Sequence, residues 1–296
     1  MFQYAHGLHL ARQSEQECFL DVSGFDTYRL HELAIDHFAI TAPRLPESQR
    51  GRLPGRYRGA SRLRETAERV LAPFRKGKSA PLRLRREKPF GFQAKFASAG
   101  TDLYLDGYWQ GEAFFPSMRS VLREEFTLAK PLSSQSSEIA RQMADDNSVA
   151  VHVRRGNYVT DSETAKIFRC LDADYYRACL RDLQQHVASP KVYLFSNNTK
   201  WCLQNLDVGL PFIPVTHNDA STAHEDLYLI SQCRHAVIAN SSFSWWGAFL
   251  GEDRPGRKVY YPSPWFNLGT LDGSAIGCVD WISERSLASC EAAVAA

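Results

Sequence analysis

Residues 149–159 read VAVHVRRGNYV, an apolar strand pattern that runs into a histidine, two arginines, a glycine and an asparagine. Along a strand, Val149, Val151 and Val153 share one face, while Ala150, His152 and Arg154 share the other. Arg155 to Tyr158 are then expected to form an exit loop, with Gly156 allowing the turn. Charges at the end of a buried strand cost free energy unless a partner meets them. Either a carboxylate elsewhere in the chain satisfies these arginines, or a ligand does.

Strand-like and helical patterns alternate around this stretch. SVAVHV (148–153) is followed by a helix near 174–187, KVYLFS (191–196), a helix near 199–206 and PFIPV (211–215). A helix near 223–232, HAVIAN (235–240), a helix near 243–250 and RKVYYP (257–262) complete the series. Strands separated by helices of this size predict an α/β fold with a parallel, doubly wound sheet. Thr222 and Glu225 have the spacing of a capping box, and Asp172 or Asp174 suits the start of another helix. Towards the N-terminus the pattern predicts a helix over 2–13, a buried strand at ECFLDV (17–22), and a Pro-, Gly- and Arg-rich loop over 41–60. A helix over 61–72 and a strand at LYLDG (103–107) follow. The polar, Ser-rich PLSSQSSE (131–138) reads as a linker, which divides the chain into domains 1–135 and 136–296.

A chain of 296 residues, 44% hydrophobic and 23% charged, has room for about two globular domains. No run of about 18 apolar residues occurs, so no ordinary transmembrane helix is expected. The opening MFQYAHGLHLARQ lacks the pattern of a signal peptide. Seven scattered cysteines without a CxxC pair indicate neither a zinc site nor a disulfide framework. The expected location is the cytoplasm. Between Arg44 and Lys88, fifteen Arg or Lys stand against four Glu, a balance of +11 within a net charge of +2, so the remainder carries −9. Such a stripe suits phosphates, an anionic membrane surface or nucleic acid, or it is simply a solvated face. Its few aromatics, Tyr57 and Phe74, argue against nucleic acid.

Ligands of α/β sheets sit at the carboxyl ends of strands, and two strand ends here are unusual. Arg154 and Arg155 can grip a diphosphate through paired hydrogen bonds, which Lys cannot mimic. In ANSSFSWWGAFL (239–250), a strand ends at Asn240 and a serine cluster opens a helix, which suits an anion. The alternatives are a structural ion pair at the first, and at the second ordinary capping by Ser241 or Ser242 over a core of Trp245, Trp246 and Phe249. Two phosphate-compatible strand ends in one domain favour a nucleotide-diphosphate ligand. No GxxxxGK[ST] loop and no GxSxG elbow occur, which argues against a P-loop ATPase and an α/β-hydrolase. The one DxD, Asp172-Ala173-Asp174, directly precedes a helix and reads as a cap. No metal is expected.

VAVHVRRGNYV, YLFSNN, HNDASTAHEDLYLISQC and ANSSFSWWGAFL, with LYLDGYWQGEAFF (103–115) and MFQYAHGLHLA, resemble the signature blocks of the α-1,2-fucosyltransferases, glycosyltransferase family 11. The likeness spans nearly the whole chain in the family's order. It implies a GT-B-like pair of Rossmann-type domains facing a cleft, the first binding acceptor and the second GDP-L-fucose. It implies inverting, metal-independent transfer of fucose to O2 of a galactoside, with no cofactor. Arg154 and Arg155 would stabilise the departing GDP. His152, Asn157, Ser196, Asn240, Ser241, Ser242 and Ser244 would line the donor pocket, and Glu225 or Asp226 would accept hydrogen bonds from ribose or guanine. Asp106 and Asp161 are the candidate bases, and Tyr108, Trp109 and Gln110 the candidate acceptor residues. The expected partner is a galactose-terminated bacterial glycan, free or lipid-linked, met at the inner face of a membrane through residues 44–88.

Three departures from the resemblance bear on activity. The family usually has Asp where Asn157 stands, and acids where Asn197 and Asn198 stand. Asn keeps the geometry but neither neutralises an arginine nor takes a proton. A strand and a Gly-rich turn normally precede the MFQYA helix, so the first strand is expected to be missing here. The competing readings are a GDP-sugar- or glycan-binding remnant and a fucosyltransferase of different linkage.

Overall fold

The computed structural model describes residues 1–26, 33–54, 57, 81–145 and 147–287. The chain divides into two compact units, Met1–Asp36 with Ile40–Met118, and His37–Ala39 with Arg119–Ala296. Residues 119–135, expected with the first domain, thus lie in the second unit. The reason is a helix at Arg119–Glu125, followed by Phe126, whose ring meets Trp246 edge-on at 5.1 Å. The Ser-rich stretch expected as a linker opens a further helix, Ser134–Asp145. There the Ser133 hydroxyl accepts the Ser136 N–H at 3.2 Å, the bond an N-cap makes.

The first unit holds helix α1 (Phe2–Gln13) and strands β1 (Arg83–Arg86) and β2 (Leu103–Asp106), which pair in parallel. α1 buries Phe2, Tyr4, Ala5, His6, His9 and Leu10. The stretch 17–22 is not a strand. Leu20 makes only an isolated bridge with Arg44, bonding to the Pro43 carbonyl and the Leu45 N–H. Pro43 and Pro46 have no N–H with which to extend that ladder. Within the expected loop 41–60, Glu47–Arg50 form a single helical turn. The helix expected over 61–72 lies outside the described residues, as does most of the basic stretch. Its described arginines have internal partners: Arg44, Arg50, Arg52 and Arg86 pair with Asp36, Glu47, Asp102 and Asp106. Arg83 and Arg85 donate to the carbonyls of Thr101, Phe96 and Ser98.

The second unit runs α2 (Arg119–Glu125), α3 (Ser134–Asp145), β3 (Ser148–Val153), α4 (Gly156–Thr160), α5 (Ser162–Ile167), α6 (Ala173–Gln184) and β4 (Lys191–Ser196). It continues with α7 (Thr199–Asn205), β5 (Phe212–Pro214), α8 (Ala223–Gln232), β6 (His235–Val237), α9 (Ser242–Leu250), β7 (Val259–Tyr261) and β8 (Ile282–Ser283). The six strands form one parallel sheet in the order β5-β4-β3-β6-β7-β8. This is an α/β, Rossmann-type sheet, with β3 as its first strand in sequence and a neighbour on each side. Every residue of β3 is buried, as a central parallel strand requires. Val149, Val151 and Val153 face a core shared with Tyr175, Tyr176, Leu180 and Leu183 of α6.

Two local expectations change. The segment after Arg155 is a helical turn, α4, rather than an open loop. Thr222 and Glu225 form no capping box: the Thr222 hydroxyl accepts the Asp219 N–H, and Glu225 turns to Ser133. Among the described residues no helix is long and apolar enough to cross a membrane, and the described cysteines are free thiols.

Candidate active site

Because β3 and β6 are adjacent, the sheet brings the two unusual strand ends together where the strand order reverses, the place where open α/β sheets bind ligands. The Tyr158 hydroxyl donates to the Asn240 carbonyl at 2.9 Å, and the His152 ring lies 5.7 Å from that of Phe243. These contacts tie the arginine segment to the start of α9.

Neither arginine has a carboxylate partner among the described residues. Arg154 donates to the Asn157 amide oxygen at 3.0 Å and lies 5.8 Å from the centre of the Tyr158 ring. Asn157 therefore aligns this guanidinium without cancelling its charge. Arg155 stacks on Trp201 of α7, its guanidinium carbon 3.3 Å from the ring centre, and donates to the Cys170 sulfur at 3.6 Å. Its backbone N–H donates to the Asn197 side-chain oxygen at 3.0 Å. Gly156 is required by this approach: it sits at φ 24°, and a Cβ there would meet the Asn197 amide nitrogen at 2.2 Å. Arg155, Tyr158, Cys170, Asp172, Trp201 and Leu206 line an open cavity of about 470 Å³.

His152 is buried at the end of β3, and burial, reinforced by Arg154, pushes its pKa down to about 3. It is a neutral imidazole whose Nδ1 has no partner among the described residues. Asn240 is a structural pin, its amide donating to the carbonyls of Arg169 at 2.9 Å and Trp265 at 3.2 Å. Its own side-chain oxygen is buried without a partner among the described residues. Ser241 is the N-cap residue of α9 but makes no side-chain cap, which leaves the helix's first N–H groups without that partner. The hydroxyls of Ser241 and Ser242 make no hydrogen bond among the described residues, while Ser244 is buried and bonds to the carbonyls of Ala239 and Ser241. Trp245, Trp246 and Phe249 are core.

The remaining candidates stand apart from this cluster. Ser196 accepts the Asn198 N–H at 3.0 Å and a bond from Cys202, a strand-end role. Glu225 accepts from the Ser133 N–H at 3.1 Å and hydroxyl at 2.6 Å. Burial raises its carboxyl, but the Ser133 and Ser136 bonds outweigh it and leave the pKa lowered. Asp226 accepts from Asn218 at 2.7 Å, and burial pushes its carboxyl upward. Both lie at the carboxyl edge of the sheet, with no hydrogen bond among the described residues to Arg154 or Arg155.

The candidate bases are otherwise engaged. Asp161 caps α5, and bonds from the Thr164 hydroxyl and the Glu163 N–H hold its carboxyl below the usual range, a poor state for accepting a proton. Asp106, in the first unit, is ion-paired with Arg86. Asp172 caps α6 through the Tyr175 N–H and Asp174 pairs with Arg177, so the DxD is spent on the helix. Of the acceptor candidates, Trp109 is fully buried against His6, Phe96 and Phe114, so it is core. Tyr108 is 67% exposed and Gln110 is half-buried. Trp201 and Cys170 escaped the sequence reading because the fold brings them to Arg155, Trp201 through the β3–β4 adjacency and Cys170 through the segment between α5 and α6.

Residues 90–259, more than half of the chain, match the family model described as glycosyl transferase family 11. The chain belongs to that family. This family 11 glycosyltransferase is 28% identical to an α-1,2-colitosyltransferase of Escherichia coli over 92% of this chain and 90% of that one. It is 27% identical to the E. coli O-antigen biosynthesis glycosyltransferase WbnK, over 90% and 91% of the two chains. Human galactoside α-(1,2)-fucosyltransferase 1 is 26% identical over 50% of this chain and 43% of that protein. Among solved structures, the fucosyltransferase NodZ from Bradyrhizobium aligns over 84% of this chain and 88% of that one, at 15% identity and a TM-score of 0.45.

Proposed function

We propose that this glycosyltransferase transfers L-fucose from GDP-L-fucose to O2 of a galactose-terminated glycan, with inversion and without a metal. The first unit binds the acceptor and the second binds the donor. The acceptor O2 bonds to C1 of fucose, the bond from C1 to the β-phosphate oxygen breaks, and the O2 proton passes to a base. Arg154 and Arg155 neutralise the charge that grows on the departing diphosphate, and the N-terminus of α9 receives another phosphate oxygen. One observation carries this reading: two guanidiniums without a carboxylate partner among the described residues sit at the sheet's switch point, beside an uncapped helix start. The names of the α-1,2-specific relatives support the linkage.

Incubation with GDP-fucose and a galactoside, followed by GDP release and by the mass and linkage of the product, tests the proposal. Release of GDP with a Fucα1-2Gal product is expected. Donor binding without product indicates a binding remnant instead, and no donor binding overturns the assignment of the arginines. A second reading is favoured by the α-1,2-colitosyltransferase relative, whose name gives colitose rather than fucose as the sugar transferred. A higher kcat/KM with GDP-colitose than with GDP-fucose would select it.

A further inference from the structure

Glu87, directly after β1, has a buried carboxylate turned onto backbone rather than onto a cation. One oxygen accepts the N–H groups of Tyr108 at 2.6 Å and Trp109 at 3.0 Å, and the other accepts the Gly91 N–H at 3.3 Å. The loop it holds has little freedom. A Cβ on Gly107 would meet the Glu87 Cβ at 2.5 Å and the Trp109 ring at 2.8 Å. Trp109 itself takes φ 57°, a conformation a non-glycine residue keeps only where its surroundings impose it, and Gly111 takes φ 133°, which glycine alone reaches easily. Gln3 of α1 donates to the Gly107 carbonyl at 2.9 Å. Held in this way, neighbouring aromatics diverge: Trp109 goes into the core, and Tyr108 stands out at 67% exposure. The Phe90 ring, tilted by 57°, lies 6.4 Å from that of Tyr108.

We propose that Glu87 is a positioning residue for acceptor binding, holding the 107–111 loop so that Tyr108, flanked by Phe90, presents its ring to the apolar C–H face of the acceptor hexose. This rests on the acceptor-binding role given above to the first unit. An aromatic body with a polar tip suits such a face, because the ring covers C–H groups while the hydroxyl stays in water.

The test is acceptor kinetics in the full chain, with GDP affinity measured alongside. Tyr108→Ala is expected to raise the acceptor KM about tenfold, the order of one good aromatic contact, with GDP affinity unchanged. Glu87→Met, similar in size but without acceptor oxygens, is expected to raise the same KM by a similar factor, with kcat at saturating acceptor within about twofold. Glu87→Gln keeps one oxygen and is expected to recover part of the loss. If Glu87 acts through Tyr108, the double variant Glu87→Met/Tyr108→Ala is no worse than Tyr108→Ala alone. Multiplying losses in the double variant, or an unchanged KM in both Glu87 variants, overturn the role of Glu87. An unchanged KM in Tyr108→Ala overturns the platform while leaving donor chemistry intact. No galactoside turnover by the unaltered chain would overturn the proposed function beneath both.

Discussion

Two arginine pairs in the second unit show how differently one residue type can be used. Arg119 and Arg123 on α2 are saturated with carboxylates: Arg119 takes both oxygens of Asp280 at 2.9 Å and one of Asp253 at 3.0 Å. Arg123 takes both oxygens of Asp253 at 2.9 Å and also donates to the carbonyls of Leu250 and Gly251 at the end of α9. The Arg123 and Arg119 bonds, against some burial, hold the Asp253 carboxyl down to about 2. Arg154 and Arg155 have an amide oxygen, a thiol and an indole face instead. The first pair spends its charge on the fold, and the second keeps its charge available.

The comparison breaks most visibly in turnover. Arg155→Ala is expected to lower kcat about 10²- to 10³-fold, the usual cost of removing one donor aimed at developing transition-state charge. Its melting temperature should fall by no more than about 4 °C, because the loss is the Trp201 stack, worth about 1 kcal/mol, and no ion pair. Steady-state kinetics and a thermal melt on the same sample check both halves. A large drop in melting temperature would mean that Arg155 belongs with the structural pair.

Next in size is the converse experiment. Arg123→Ala strips Asp253 of a two-pronged partner and uncaps two helix carbonyls, and charged hydrogen bonds of this kind are worth about 2–3 kcal/mol together. That corresponds to a fall of roughly 5–10 °C in melting temperature for a unit of this size. Per folded molecule, GDP affinity at a permissive temperature should not change. Calorimetry at matched folded fractions separates the two effects, and weakened GDP binding would show that α2 matters to the donor site.

The two pairs also differ in how far the sequence revealed them. VAVHVRRGNYV displayed its arginines because the apolar alternation of β3 stops abruptly at them, and strand ends in a parallel sheet are where ligands bind. The alternating patterns likewise fixed five of the six strands of the second sheet, since buried parallel strands are short apolar runs. Ile282–Ser283 was too short to show a period. Arg119 and Arg123 were not singled out, because their meaning depends on Asp253 and Asp280, more than a hundred residues away. Shorter separations hid Trp201 and Glu87 in the same way, since each matters only through a neighbour supplied by the topology. Asp161 shows a related limit: its position after the arginine segment was visible, but its bonds to the next helical turn were not. Ser133 turned an apparent linker into a helix by a local cap, which composition alone does not distinguish from a loop.

A smaller effect tests the indole. Replacing Trp201 by Leu removes the stack beneath Arg155, a cation–π contact worth about 1 kcal/mol when partly desolvated. kcat is expected to fall about three- to tenfold, with Trp201→Phe retaining more activity than Trp201→Leu. Equal activity in the two variants would mean that the ring only fills space.

The smallest expected effect is an invariance with pH, and it follows from which groups surround the unpaired arginines. Guanidiniums do not titrate in the working range, and Asn157 puts an amide rather than a carboxyl beside Arg154. Burial, and then the charge of Arg154, hold His152 down to about 3, below its unfolded value near 6.5. A lowered histidine contributes stability that is complete above the unfolded value and is lost as pH falls towards the folded one. The imidazole therefore stays neutral in the folded chain from pH 8 to pH 5, even as acid begins to favour unfolding. The diphosphate of GDP-fucose, esterified at both ends, keeps its charge over the same range. Donor affinity measured by calorimetry without acceptor should change by less than about twofold between pH 8 and pH 5, while the melting temperature declines below pH 6.5. Tenfold tighter binding at pH 5 would mean that a bound diphosphate draws a proton onto His152, so that the charge awaiting the donor is not held by the arginines alone.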